Sequence, residues 1–434
     1  MSISKASSLA AKPISNREFL SVWWQVAILS FGGPAAQIGV MQRLVVDERQ
    51  WLSQARFNHA LNFCLLLPGP EAQQLATYIG WLLKGVRGGL LAGALFVLPG
   101  ALIMLGLSLL YVTVGRTSWM EGLLFGLQCA VLAILAQALA NMAVKVLDKA
   151  MARVLAISAF LAMFVWNLPF PLVVAVAALV GWRLLASSQQ PESFGRATAA
   201  VPGWVPVLVL MAWLLPLVLL AMLFGTSSIW TEIAGFFSLL STLSFGGAYA
   251  VLAWVAQYAS EQQNWLTATE MLDGLGLAET TPGPLILVTQ FVGFLAAWRE
   301  HGGLHPLLAG SLGAGLTTWM MFLPSFFWIF LMAPWVERLR HHAGAAAALR
   351  GITAAVVGVI TNLAVWFGLR VLFGELQSIE VFSTSLLVPV WSSINLTAVG
   401  LSLAAALLLF LTRLGLFGVV GLAALAGWLV GLAH

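Results

Sequence analysis

Long apolar runs alternate along the chain with short polar joins that carry glycine or proline. Runs of roughly 20 apolar residues match a helix that crosses a bilayer. Thirteen segments can be marked, near 18–41, 58–83, 89–114, 120–144, 151–166, 169–187, 204–224, 231–257, 269–297, 304–333, 348–373, 385–411 and 415–432. Their continuous apolarity excludes the alternating pattern of a membrane barrel. The pattern predicts an all-α polytopic membrane protein with about 13 transmembrane segments.

Two segments are interrupted. The apolar run Leu61 to Leu67 meets Pro68-Gly69-Pro70-Glu71-Ala72-Gln73-Gln74, and apolar residues then resume to Leu83. Proline lacks an N–H and clashes with the preceding turn, so a continuous helix cannot pass. The spacing predicts a broken helix. Its second half begins near Pro70 and aims free N–H groups and a positive dipole end at the gap, a setting that suits an anion. The same device recurs at Glu279-Thr280-Thr281-Pro282-Gly283-Pro284.

The recurrence has a fixed register. Pro282 lies 214 positions after Pro68, and Ser244-Phe245-Gly246-Gly247 lies 214 after Ser30-Phe31-Gly32-Gly33. Trp265 follows Trp51, and Gly302-Gly303 follows Gly88-Gly89, by the same offset. It grows to 225 before Pro324, which corresponds to Pro99. This is an internal duplication. It divides the chain into a cytoplasmic tail (1–16), a first repeat (17–187), a linker with one transmembrane helix (188–229) and a second repeat (230–434). Corresponding segments are seven apart, an odd number, so the repeats are expected to be inverted, as in many secondary transporters.

Composition narrows the class. Hydrophobic residues make up 61% and charged residues 8%, against about 25% charged in soluble domains. The net charge of +4 says little about partners and does not point to nucleic acid. The polar N-terminus lacks the apolar core of a signal peptide. With that end inside, 14 Lys and Arg fall inside and six outside, which places the C-terminus outside. Three of the six exceptions cluster at Arg43, Arg49 and Arg56, so 41–57 is read as an interfacial helix or the first segment as re-entrant. Cys64 and Cys129 sit in apolar runs and suggest neither a disulfide framework nor a metal site, and no ATP-binding P-loop occurs. No cofactor is implied.

Phe31-Gly32-Gly33-Pro34, the run Leu67 to Ala76, and Glu279 to Pro284 followed by Phe291-Val292-Gly293-Phe294 resemble the chromate transporter family. The resemblance covers about 17–185 and 230–432, as in that family's long, two-domain form. It implies efflux of chromate across the bacterial inner membrane, giving chromate resistance. Uptake or exchange of sulfate, a dianion of the same shape, and an anion channel are the alternatives. A chromate reductase is disfavoured by the lack of haem, flavin or paired-cysteine signatures. The expected partners are chromate or sulfate and the lipid bilayer, and a homodimer is open.

A tetrahedral dianion needs hydrogen-bond donors. The substrate candidates are the breaks themselves (Pro68, Gly69, Pro70, Pro282, Gly283, Pro284) and the glycine pairs Gly32-Gly33 and Gly246-Gly247, whose backbone a ligand can approach closely. Gln37, Gln73, Gln74, Thr280, Thr281 and Gln290 add side-chain donors. The glycine pairs read equally as tight packing points. Glu71 and Glu279 are candidates for proton coupling, Glu71 set against a plain helix-capping acid. Arg43, Lys84 and Arg87 are candidates for guiding the anion, although most such cations only anchor helices at headgroups. Asn62, Asn141 and the pair Gln137/Asn362 suit helix-to-helix hydrogen bonds, and Gly122/Gly126 and Gly427/Gly431 suit close helix packing.

Overall fold

The computed structural model describes residues 14–114, 117–184, 201–245, 248–333, 343–381, 384–412 and 414–433. Most of the expected tail, the start of the linker, and Gly246 and Gly247 lie outside the described residues.

The first segment is two half-length helices. Helix α1 (Asn16–Leu29) starts at Ser15, whose side chain accepts from the Glu18 N–H. It stops at Ser30. Gly32 and Gly33 then adopt φ of 82° and 80°, left-handed conformations that cost an L-residue with a side chain about 1–2 kcal/mol. The chain reverses there. Helix α2 (Gly33–Gln42) runs back, with Pro34 in its first turn, and widens into a π turn at Arg43–Glu48. The free ends of this V meet: Arg49 Nη1 lies 3.6 Å from Glu18 Oε1, and Trp51 stacks on Phe19 at 6.2 Å. Residues 43–48 thus extend α2 rather than forming a separate interfacial helix.

The second segment is also a V. Helix α3 (Gln54–Cys64) is capped by Ser53, and the break at Pro68–Pro70 carries Gly69 at φ 127°. Helix α4 (Glu71–Val114) is interrupted by non-helical Lys84 and Gly85. Its arms, 71–83 and 86–114, fold back on each other. A Cβ on Gly80 would strike Ala92 at 2.6 Å, and one on Gly89 would lie 3.0 Å from the Thr77 carbonyl. Lys84 Nζ donates to Asn16 Oδ1 at 2.6 Å, so both Vs open on one side.

The arrangement recurs in the second half. Helices α9 (Ile229–Thr242) and α10 (Ala248–Gln257, with a π turn at Tyr258–Gln262) form one V. Helix α11 (Ala268–Glu279) and α12 (Val288–Arg299, entered through a 3₁₀ turn at Leu285–Leu287) form the other. Its ends are clamped by Arg299, which donates to both Glu270 oxygens at 2.7 and 2.6 Å and to the Trp265 carbonyl at 2.5 Å. Fine details keep the 214-residue offset. Gln50 and Asn264 have φ of 53° and 54°, and the Trp51 and Trp265 N–H groups close the π turns at 2.9 and 2.8 Å.

With their π and 3₁₀ turns the arms of these Vs are 11 to 16 residues long, roughly 17–24 Å at 1.5 Å per residue, against a hydrocarbon core of about 30 Å. Hydropathy counts each V as one span, because the two arms together hold as many apolar residues as one crossing helix. The structure separates them.

Among the described residues, five helices are long and apolar enough to cross a membrane: α4, α5 (Ser118–Val146), α8 (Trp204–Phe224), α13 (Pro306–Met332) and α14 (Ala343–Leu372), the last judged from residue 347. Shorter apolar helices are α6 (Ala150–Phe164), α7 (Phe170–Leu184), α15 (Leu396–Leu411) and α16 (Leu416–Ala433). The halves exchange partners. Helix α5 packs against α15 and α16, and α14 packs against α6 and α7. Small residues allow the contact: a Cβ on Gly122 would come within 2.7 Å of the Gly427 carbonyl, and one on Gly351 within 2.7 Å of the Gly181 Cα. The Gln137 amide donates to the Leu409 carbonyl at 3.2 Å, a helix-to-helix bond as expected of it.

One departure from helix is a hairpin, β1 (Leu376–Val381) with β2 (Thr384–Pro389), antiparallel with Leu376 opposite Pro389. It takes the start of the segment marked at 385–411. Thr384, Val388 and Val390 favour strand, Pro389 stops a helix, and Asn395 then caps α15 by accepting from the Ala398 N–H at 3.0 Å.

Candidate functional site

The tips of the four Vs meet. Gly69 N–H donates to the Ser244 carbonyl at 2.8 Å, and Gly283 N–H donates to the Ser30 carbonyl at 2.6 Å. These bonds are equivalent under the 214-residue offset, and each joins a Pro-Gly-Pro break of one half to the glycine-bearing tip of the other. The Gln37 amide, 1% exposed, donates to the Gly283 carbonyl at 2.8 Å, and Gln74 Nε2 donates to the Pro68 carbonyl at 2.6 Å.

A cavity of about 20 Å³ lies among the tips. Its wall comes from the first turns of four helices: Pro34 and Gln37 of α2, Pro70, Glu71 and Ala72 entering α4, Ala248 of α10, and Pro284, Leu285 and Ile286 entering α12. Gly69 and Ser244 complete it. The first N–H groups of a helix have no partner inside it, and the dipole adds partial positive charge there. The opposing helix ends are quenched. Ser30, Ser244, Pro68 and Gly283 carbonyls accept the bonds above, and Thr280 and Thr281 hydroxyls both donate to the Leu277 carbonyl, at 2.7 and 2.9 Å. Positive helix ends therefore dominate the cavity, with no Lys or Arg among its lining residues. Glu71 is the one carboxylate on the wall.

Several candidates lie elsewhere. Thr280 and Thr281 cap α11 instead of facing the cavity. Gln73 Nε2 reaches the Phe322 carbonyl at 3.4 Å, and Gln290 Nε2 donates to the Ala101 carbonyl at 2.8 Å. In an apolar interior a side-chain amide takes a carbonyl lone pair within reach, and these carbonyls belong to neighbouring helices. Arg43 pairs with Glu48 at 3.6 Å, half exposed, and Lys84 is held by Asn16 at the open end of the second V. Arg87 is not on the wall either. Pro282 packs behind it, against Gly100.

Glu279 stands just outside the cavity. It is 3% exposed, and Tyr249 donates its hydroxyl to Oε1 at 3.0 Å. Glu279 Oε2 has no hydrogen-bond partner among the described residues. Tyr249 also abuts the first glycine pair, since a Cβ on Gly33 would lie 3.5 Å from its hydroxyl. Sequence reasoning missed Ser244, Ala248, Pro34 and Tyr249. The first three flank or belong to the Ser-Phe-Gly-Gly motifs, so following those motifs one residue each way would have found them. Ser325 was also missed. A Cβ on Gly69 would meet its hydroxyl at 2.8 Å and Gln74 Nε2 at 2.7 Å.

Comparison with known proteins gives a consistent answer. The family model described as chromate transporter matches residues 17–182 and 231–428. A chromate transport protein of Pseudomonas aeruginosa is 32% identical over 96% of this chain and 93% of its own. A probable chromate transport protein of Synechococcus elongatus is 28% identical over 82% and 85%, and a chromate transport protein of Cupriavidus metallidurans is 28% identical over 80% and 81%. No solved structure matches the chain.

Proposed function

The chain belongs to the chromate transporter family, and on that premise we propose that it exports chromate across the bacterial inner membrane by alternating access between inverted repeats. The observation that carries this reading is the convergence of four helix N-termini on one small cavity. Backbone N–H groups and helix dipoles give a site for a dianion without a cationic side chain to trap it. The cavity holds about one water, too little for an oxyanion of five heavy atoms. Entry therefore requires the tips to part, and the closed centre favours a transporter over an open anion channel. A dianion leaving a negative-inside cell is already driven by about 2.3 kcal/mol per charge per 100 mV. Glu71 on the wall and Glu279 beside it are assigned to proton coupling.

Backbone donors recognise shape and charge, not the central atom. Sulfate exchange at the same site is for that reason the second reading. Chromate uptake into inside-out vesicles from cells making the protein tests both. Saturable uptake that excess sulfate inhibits is expected, and uptake no greater than in empty-vector vesicles would remove chromate as cargo.

The Vs also bear on orientation. With both Vs of each repeat re-entrant, α4 and α13 are the first crossing helices of their repeats. Helices α4, α5 and α8 cross between them, and α6 and α7, 15 residues each, form a pair that leaves the parity unchanged, so an odd number of crossings separates α4 from α13 and the repeats remain inverted. With the N-terminus cytoplasmic, Arg43, Arg49 and Arg56 move to the inside. Of the chain's 20 Lys and Arg, 17 then lie inside by chain position, and only Arg116, Arg299 and Arg370 outside. The C-terminus stays outside. Ala55 and Thr269, exposed and 214 positions apart, report the two sides. An impermeant maleimide applied to spheroplasts is expected to label Thr269→Cys and to reach Ala55→Cys only after permeabilisation. Labelling of both from one side would rule out inversion.

A further inference from the structure

Two larger cavities lie at helix ends that the proposed topology puts outside, and they differ in charge. The first, about 380 Å³, carries the carboxylates of Glu121, Glu270 and Asp273. Two of its neutral donors are engaged, Tyr111 and Gln128 donating to Asp273 at 2.8 and 2.7 Å, and Arg299 is off its wall, clamped on Glu270. An anion is repelled there.

The second, about 310 Å³, lies between the ends of α6, α10 and α14, beside strand β2. Its polar wall is made of Asn167, Gln257, Glu261, Asn362 and Arg370, with Trp366 beside them. Arg370 lies over the Trp366 ring at 4.0 Å, and its side chain is 16% exposed. Its Nη2 is 3.5 Å from Glu261 Oε1, which also accepts from Trp366 Nε1 at 2.9 Å. Its Nη1 donates to the Trp366 carbonyl at 3.3 Å. A guanidinium has five N–H donors in a planar fork, so these contacts do not exhaust it. Gln257 is nine-tenths buried, donates its amide to Asn167, and leaves Oε1 without a partner among the described residues. Asn167 and Asn362 bring further amide groups to the same wall.

We propose that this cavity is an outer docking site for a tetrahedral oxyanion, the station between the central cavity and the external medium. The inference rests on the cargo and orientation proposed above. Helix α10 links the two places. Ala248 is on the central wall and Gln257 on this one, about 13.5 Å apart along nine helical steps. The volume is roughly ten times a water's share, enough for the anion with part of its hydration shell. Arg370 and the Asn167 and Asn362 amides supply donors, the Gln257 amide being spent on Asn167, and Glu261 competes with the anion for the guanidinium. Such competition suits a release site, where tight binding would slow turnover. The cavity belongs to one side only, because the hairpin whose Leu387 forms part of its wall has no counterpart between α5 and α6.

The competition gives a test with opposite signs. Asn362→Cys in the full-length protein is labelled in spheroplasts with an impermeant maleimide. The native Cys64 and Cys129 are buried. Sulfate is the probe, since it does not oxidise the thiol, with chloride at matched ionic strength as control. Sulfate is expected to slow labelling and chloride not to. Adding Arg370→Gln is expected to raise the sulfate needed for half-protection roughly tenfold, the loss of one charge-assisted contact. Adding Glu261→Gln is expected to lower it. A merely structural ion pair would weaken protection in both. If Asn362→Cys is not inserted, Asn167→Cys reads the same wall. Equal labelling with sulfate and chloride, or weaker protection in Glu261→Gln, overturns the docking site. Chromate uptake by inside-out vesicles reads the cargo separately. Uptake without protection overturns only the docking site, and protection without uptake supports it while removing the export reading.

Discussion

Gly69→Ala is expected to reduce chromate uptake by inside-out vesicles to below about a tenth, with normal amounts of protein in the membrane. Two effects add at this position. The φ of 127° lies where a side chain is strained, by about 1–2 kcal/mol. The new Cβ would also stand 2.7 Å from Gln74 Nε2 and 2.8 Å from Ser325 Oγ, displacing the amide that holds the Pro68 carbonyl. Relief requires Gly69 to withdraw from Ser244, which breaks a buried backbone bond worth about 0.5–1.5 kcal/mol and distorts one helix start on the cavity wall. Gly283→Ala shares the conformational strain at φ 97° but meets nothing nearer than the Phe96 carbonyl at 3.4 Å. Its defect should be several-fold smaller. Wild-type uptake by Gly69→Ala would show that the crossed tips do not form the transport site.

Glu71→Gln should abolish the response of flux to an imposed pH gradient while leaving potential-driven flux in place. Glu71 lines the small cavity proposed to take the dianion. Unit charges 4 Å apart at an effective dielectric of 20 interact by about 4 kcal/mol, and a dianion doubles this, so an ionised Glu71 and the anion exclude one another. Protonation of Glu71 then accompanies loading, which ties proton movement to anion movement. Glutamine has the shape of the protonated acid but carries no proton to exchange, so flux continues uncoupled. Glu279→Gln should weaken coupling less, because Glu279 is off the wall and acts through Tyr249. Unchanged pH-gradient-driven flux in both variants would sink the assignment.

Much of this arrangement was legible beforehand. The Pro-Gly-Pro breaks, the 214-residue register and the apolar runs placed the tips, because glycine and proline set backbone conformation locally. The folding-back of the first V was one of two readings that its charges left open, and that of the other Vs was not legible. A pair of 12-residue arms and a single span have the same hydropathy, and the distinction lies in long-range contacts such as Arg299 on Glu270 and Trp51 on Phe19. The misfit of Arg43, Arg49 and Arg56 with a spanning first segment was the signal. Side-chain ligands were the weakest part of the reading. Thr280, Thr281, Gln73 and Gln290 looked like donors for an anion, but each has a carbonyl within reach, and satisfying it is the first demand of an apolar interior. The donors proposed for the anion belong to the backbone, which no residue type announces.

The exchanged packing sets an order of events during synthesis. Gly122 and Gly126 on α5 close against Gly427 and Gly431 on α16. About 300 residues separate the two faces, so at about 5–20 residues per second α5 waits roughly 15–60 s for its partner. Through that interval the first repeat is inserted but has a bare helix face toward lipid or toward whatever else is near. Helix α16 closes a face of the first repeat, so that repeat is finished only after the second has been made.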